Sequence, residues 1–264
     1  MDPFWFTLVL KMLTSAFIVV VASLVVERLG PVMGALVATL PLSAGPNYVY
    51  LAMDHGPAFL AEAARIGLQV NVATAFFVLG YGLTAPRASF VTSLAVGFVA
   101  WGVVVSFVRH LDPPASVTFL ANVTIFAACY FGTRRLLTGR RAPAVPRRFF
   151  DLPLRAATVM ALVAAVVISG RLAGPAAAGV IATVPLVLTS LAVILHPRIG
   201  GSATAQVALG TYPGLLGFGV AVGVVGVTAV PLGSAAALTA GLASAVLWNL
   251  VLLQLSRRAG ATSR

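Results

Sequence analysis
Asp54, His55 and Glu62 stand close together in the sequence, with Arg65 just beyond them. A partly buried carboxylate beside a histidine can exchange a proton in the useful pH range, so these three residues are the proton-coupling candidates of the chain. The competing expectation is an ordinary solvated loop, since all of them fall near the end of an apolar stretch. A second group mixes helix-breaking residues with hydrogen-bonding ones: Thr39, Pro41, Ser43, Asn47 and Tyr48 in the first half, and Thr183, Pro185 and Thr189 in the second. Proline removes a backbone donor, and backbone groups freed at membrane depth must be satisfied by neighbours, side chains or water, so interrupted helices line cavities. Asn71 and Gln206, polar residues within apolar stretches, should also face the protein interior. Together these are the substrate-binding candidates, and a half-helix N-terminus among them would favour an anionic or strongly hydrogen-bonding group. The plainer alternative makes Pro41 and Pro185 structural kinks. Asn71, Asn122, Gln206, Tyr212 and Asn249 then serve only as hydrogen-bond partners between helices.

Catalysis has little support. His55, His110 and His196 fall on loops at both sides of the membrane, and no His-Glu-x-x-His, Ser-x-x-Lys or nucleophile-elbow pattern is present. No Walker motif is present either, which argues against ATP hydrolysis by this chain. Cys129 is the single cysteine, so neither a disulfide nor a cysteine-rich metal site can form within the chain. No metal or other cofactor is expected.

The elements that must position these residues are membrane spans. Hydrophobic residues make up 60% of the 264 and charged ones 9%, against roughly 25% charged in soluble domains. Apolar runs long enough to cross about 30 Å of hydrocarbon recur along the whole chain. They place spans near 4–26, 31–53, 59–83, 88–108, 115–136, 153–171, 175–196, 203–230 and 233–256, or ten if Pro213 splits the long eighth one. Met1-Asp2-Pro3-Phe4 lacks the basic start of a secretory signal, so the first segment is expected to be retained.

A net charge of +11 would suggest nucleic acid in a soluble protein, but here its distribution follows topology. Six arginines, Arg134, Arg135, Arg140, Arg141, Arg147 and Arg148, share one loop. Nine spans put 13 cations on that side and four, Lys11, Arg65, Arg109 and Arg171, on the other. Because cytoplasmic loops retain Lys and Arg, the N-terminus is expected outside and the C-terminus in the cytoplasm, in a bacterial inner membrane. The Arg134–Arg148 stretch could hold anionic lipid; nucleic acid is not an expected partner. Lys11 and Arg155 lie inside their spans, where both can snorkel to the interface, and Asp151 offers Arg155 a local ion pair.

Residues 30–42, GPVMGALVATLPL, align with 174–186, GPAAAGVIATVPL, at an offset of 144. Gly30/Gly174, Pro31/Pro175, Ala38/Ala182, Thr39/Thr183, Pro41/Pro185 and Leu42/Leu186 are identical, and the register continues through Leu51/Leu195, Gly56/Gly200, Ala61/Ala205 and Gly82/Gly226. Chance identities in apolar sequence seldom keep two prolines and a threonine in one register. The expected fold is therefore an all-α polytopic membrane protein of about nine transmembrane helices in an inverted 4+1+4 repeat. Its parts are a first four-helix repeat over 1–112, a joining helix over 113–138, an arginine-rich cytoplasmic loop over 139–150 and a second, inverted repeat over 151–264. In topology alone this resembles several secondary-transporter families, among them the drug/metabolite exporters.

The function expected from these residues is secondary transport of a small neutral, zwitterionic or singly anionic metabolite by alternating access, with proton coupling as a candidate drive. A non-transporting subunit or assembly factor, and a membrane-embedded lipid-processing enzyme, are the alternatives. Single cysteines at Ala115 and Arg141 should be labelled by an impermeant thiol reagent from opposite faces of the membrane; labelling of both from one face would remove the joining span.

Overall fold
In a membrane there is no water to satisfy backbone N–H and C=O groups, so an apolar chain of this kind must close its hydrogen bonds within helices. The computed structural model describes residues 3–28, 45–137 and 148–261, and all regular structure among them is helical. In chain order the helices are α1 (Pro3–Arg28), α2 (Gly45–His55), α3 (Pro57–Thr84), α4 (Phe90–Val108) and α5 (Ala115–Leu137), then α6 (Asp151–Ala182), α7 (Leu186–Leu209), α8 (Tyr212–Leu232) and α9 (Ser234–Ala261). All but α2 are long and apolar enough to cross a membrane, eight in number among the described residues. Large apolar side chains such as Phe6, Phe17, Val99, Phe107, Leu120 and Leu247 stand exposed on the outer helices. A water-soluble monomer rarely leaves that much apolar surface open, and the pattern fits an integral membrane protein in contact with the lipid bilayer.

The inner helix is α3. Leu60, Ala63, Ala64, Val70, Ala73 and Ala75 are fully buried on it, and it packs against α2, α4, α5, α6, α7 and α8. Small residues make that crowding feasible, because without side chains in the way two helix backbones can touch. A Cβ added at Gly179 would strike the carbonyl oxygen of Ala63, and one at Gly80 would lie 3.2 Å from that of Val96.

Four glycines hold φ near +80°: Gly56, Gly174, Gly200 and Gly233. Their ψ values of −174°, −173°, 164° and 160° put them in a region that only glycine occupies cheaply. Gly56 separates α2 from α3, Gly233 separates α8 from α9, and Gly174 and Gly200 kink α6 and α7 internally. Gly56 and Gly200 are 144 positions apart, the offset of the sequence repeat.

Five of the expected spans match α1, α3, α4, α5 and α9 to within a few residues. The second half departs from expectation between 175 and 230. The break at Pro185 is complete: α6 ends at Ala182 and Pro185 caps α7. The expected span 203–230 divides at Gly210–Thr211, the split that Pro213 had been expected to allow, because Pro213 occupies the first turn of α8, where its missing N–H would have no helical partner anyway. Of the expected span 31–53 the described residues contain the part from Gly45 onward.

Position numbers rise along α3 as they fall along α8. The Asn71 amide reaches the Leu215 carbonyl at 3.3 Å, and the Tyr212 hydroxyl donates to the Ala75 carbonyl at 3.2 Å. A Cβ at Gly219 would lie 3.7 Å from Leu68, and one at Gly226 would lie 3.5 Å from the Arg65 nitrogen. The two helices are therefore antiparallel. In α1 and α6, Phe4 at the start of one helix sits under Arg171 in the other, ring centroid to guanidinium 4.1 Å.

Gly56→Ala and Gly200→Ala should each lower stability in detergent by about 1–3 kcal/mol through backbone strain alone, since a Cβ at either position meets nothing within 4 Å. Gly102→Ala, equally open but inside α4 with ordinary helical geometry, should not lower it. Thermal unfolding of the three variants beside wild type checks both statements.

Candidate functional site
The two ends of α3 carry matching constructions. At its first end α2 runs out into Gly56, and Asp54, two residues before that glycine, meets Lys11 of α1 at 2.5 Å. The Lys11 side chain is only 7% exposed and that of Asp54 29%. Tyr50 braces the lysine: its hydroxyl donates to the Lys11 carbonyl, contacts Ser15 Oγ at 3.0 Å, and its ring lies under the ammonium. At the far end of α3, Arg198 stands two residues before Gly200 and grips both oxygens of Asp151 on α6, at 2.5 and 2.8 Å. Side-chain exposures there are 13% and 9%. Next to this pair the Tyr81 hydroxyl meets His196 Nδ1 at 2.8 Å, and a Cβ at Gly201 would collide with the Ala85 carbonyl. With 28 residues, the helix between the two pairs is about 42 Å long.

Between them lies a polar knot on the seam of α3, α5 and α8. Asn71 donates to Asn122 Oδ1 at 3.0 Å, and Asn122 donates in turn to the carbonyls of Leu68 and Thr118. Both asparagines are buried, and their bonds tie three helices together without a ligand. Beside the knot a cavity of about 490 Å³ opens between α1 and α2 on one side and α8 and α9 on the other. Its walls are apolar, with Ile18, Phe218, Val222 and Leu242 prominent. Thr14, Tyr48, Tyr50 and Thr239 also line it, and among the described residues no charged side chain does. The Tyr48 hydroxyl is buried, faces Gly67 and has no hydrogen-bond partner among the described residues. A second cavity of about 440 Å³ has a wall of Phe4, Leu8 and Val167 with Lys11, Asp54, His55 and Arg171 at its polar side.

No family model matches this chain. No curated protein and no solved structure matches it either. The arrangement of its own residues is thus what bears on function.

The expected proton-coupling set divides. Asp54 joins Lys11, and His55 stacks on Phe59 with ring centroids 4.0 Å apart. Glu62 is held through both oxygens by Arg65, which also reaches Asp112 at 2.7 Å. Of the substrate-binding candidates, Tyr48 lines the larger cavity. Asn47, one residue away, is fully buried with neither amide atom bonded among the described residues. Asn71 sits in the knot. Thr183 and Thr189 donate to their own helical carbonyls, Val180 and Pro185, and Gln206 is half-buried near the end of α7. Thr39, Pro41 and Ser43 lie outside the described residues, as do Arg140, Arg141 and Arg147 of the basic loop.

The Lys11 ammonium reaches Asp54, an exposed residue in the last turn of α2. One expectation about charge is corrected. Asp151 pairs with Arg198 in place of Arg155, since Arg198 approaches with two parallel N–H donors that no helical neighbour matches. Gly219 and Gly223 meet Leu68 of α3, whereas Gly210 and Gly214 face only their own helix or open space. The partnership of Asp54 with Lys11 was hidden by a separation of 43 positions in the chain.

A double-mutant cycle on Asn71→Ala and Asn122→Ala should give a coupling energy of about 0.6 kcal/mol, and no more than about 1.7, as for other hydrogen bonds within membranes. Equilibrium unfolding in mixed micelles measures it.

Proposed function
We propose that this chain is a secondary-type transporter that moves a small solute by alternating access, built from two inverted four-helix repeats joined by α5. The observation that carries the reading is the seam between α3 and α8. There residue 71 meets residue 215, its counterpart 144 positions on, and the flanking contacts exchange as a two-fold axis in the membrane plane requires. Tyr212 meets Ala75 and Leu68 meets Gly219; adding or subtracting 144 turns one pair into the other. Gly82 against Leu209 and Gly226 against Arg65 exchange in the same way. Under this reading α1 corresponds to the first part of α6, α2 to the first part of α7, α3 to the rest of α7 with α8, and α4 to α9. Two copies so related can trade conformations, which closes one face as the other opens.

The 490 Å³ cavity lies where the two repeats meet and is the proposed solute site. Its size falls within the usual range for small-molecule pockets. An uncharged lining favours a neutral solute over the zwitterionic and singly anionic classes, because a charge buried there would have no partner. Among the proton-coupling candidates Asp54 is the best suited, being held at the wall of a cavity by a buried lysine; Glu62 is clamped by Arg65 in a more open setting. The arginine distribution supports an N-terminus outside and a cytoplasmic C-terminus in a bacterial inner membrane.

The test is reconstitution of the purified chain in liposomes and a screen of radiolabelled small solutes under an imposed proton gradient. Wild type should carry at least one solute faster than protein-free liposomes. Leu242→Trp, which adds bulk to the cavity wall, should slow that flux. No flux for any solute, with a second protein constantly bound to the purified chain, would overturn the proposal.

A further inference from the structure
We infer that Lys11–Asp54 and Asp151–Arg198 are a pair of gates, one for each face of the membrane, which open in turn. The inference rests on the transport reading for its purpose but on geometry for its substance. A buried ion pair returns little net stability, because withdrawing two charges from water costs about as much as their attraction restores, and what it can supply is a preference for one arrangement over another. Each of these pairs ties the first helix of a repeat to a point two residues before a glycine at φ 83° or 78°, a backbone break of the kind that serves as a hinge.

The charges in the two pairs are reversed. Position 11 corresponds to Arg155 and position 54 to Arg198 at the offset of 144, so simple duplication would set two arginines against each other. Asp151, one helical turn ahead of Arg155, restores the link with the opposite polarity. The same connection is thus made at equivalent places by unlike residues, which packing alone would not require. In the conformation described both pairs are formed, one within each repeat and one toward each end of α3. Ser15 lies one turn below Lys11 and is fully buried; its counterpart Val159 is 2% exposed. Opening either gate would uncover the reporter beneath it.

The test uses full-length chain carrying Cys129→Ala in oriented proteoliposomes, with Ser15→Cys or Val159→Cys as the reporter and an impermeant maleimide added to one face at a time. Lys11→Met should speed labelling of position 15 at least tenfold from its own face and leave position 159 unchanged or slower. Arg198→Met should do the reverse. The exchanged pair Lys11→Asp with Asp54→Lys should bring labelling back toward the wild-type rate, which shows that the chain still folds. Equal acceleration of both reporters, or of neither, would overturn the gates. Because labelling needs no solute, reciprocal labelling without any flux would leave the gates standing and count against the transport reading. Flux with unmoved labelling would do the opposite.

Discussion
Everything in this protein depends on how closely α3 and α8 approach each other. A helix pair can come near enough for a side-chain amide to reach a backbone carbonyl only where side chains are small, and Gly219, Gly223 and Gly226 clear that path on α8. Lipid offers no hydrophobic drive to push the helices together, so packing and hydrogen bonds must do it. The Asn71–Asn122 knot then fixes the depth at which the helices cross and brings in α5 as the third member.

From that crossing the rest follows outward. With α3 fixed in the middle, its two ends fall far apart, and each receives a helix break, a glycine at positive φ and an ion pair. The apolar cavity occupies the space left between α1 and α2 and the pair α8 and α9. Under the proposed alternating access the centre would stay fixed while the two ends act as hinges and latches.

Much of the helical framework could be read from sequence, because long apolar runs in a membrane have only one economical way to satisfy their backbone. The runs for α1, α3, α4, α5 and α9 are bounded by charge or by Gly-Pro and were placed well. The region from 175 to 230 was misplaced for the opposite reason: it holds no charge between Arg198 and the end of α8, so Pro185 and Pro213 had to be judged as kinks or as helix starts without tertiary context. Proline fits both roles, and only the packing of α7 and α8 decides between them. Site chemistry was legible in part. Tyr48 could be found because it follows Gly45-Pro46, and Asn71 and Asn122 because polar residues are conspicuous in apolar helices. The ion pairs could not, since no local rule connects Lys11 with Asp54 or Asp151 with Arg198 across more than forty residues.

The proposed inversion of the two repeats is the central claim, and cross-linking across the seam tests it most directly. In a cysteine-free chain, cysteine pairs 68/219 and 75/212 belong together if the copies run in opposite directions, whereas 68/212 and 75/219 would face each other if they ran the same way; 71/215 is common to both. With a short bifunctional thiol reagent in native membranes, the account predicts efficient cross-links for 71/215, 68/219 and 75/212 and little for the other two. Strong cross-linking of 68/212 and 75/219 in place of the antiparallel pairs would contradict it.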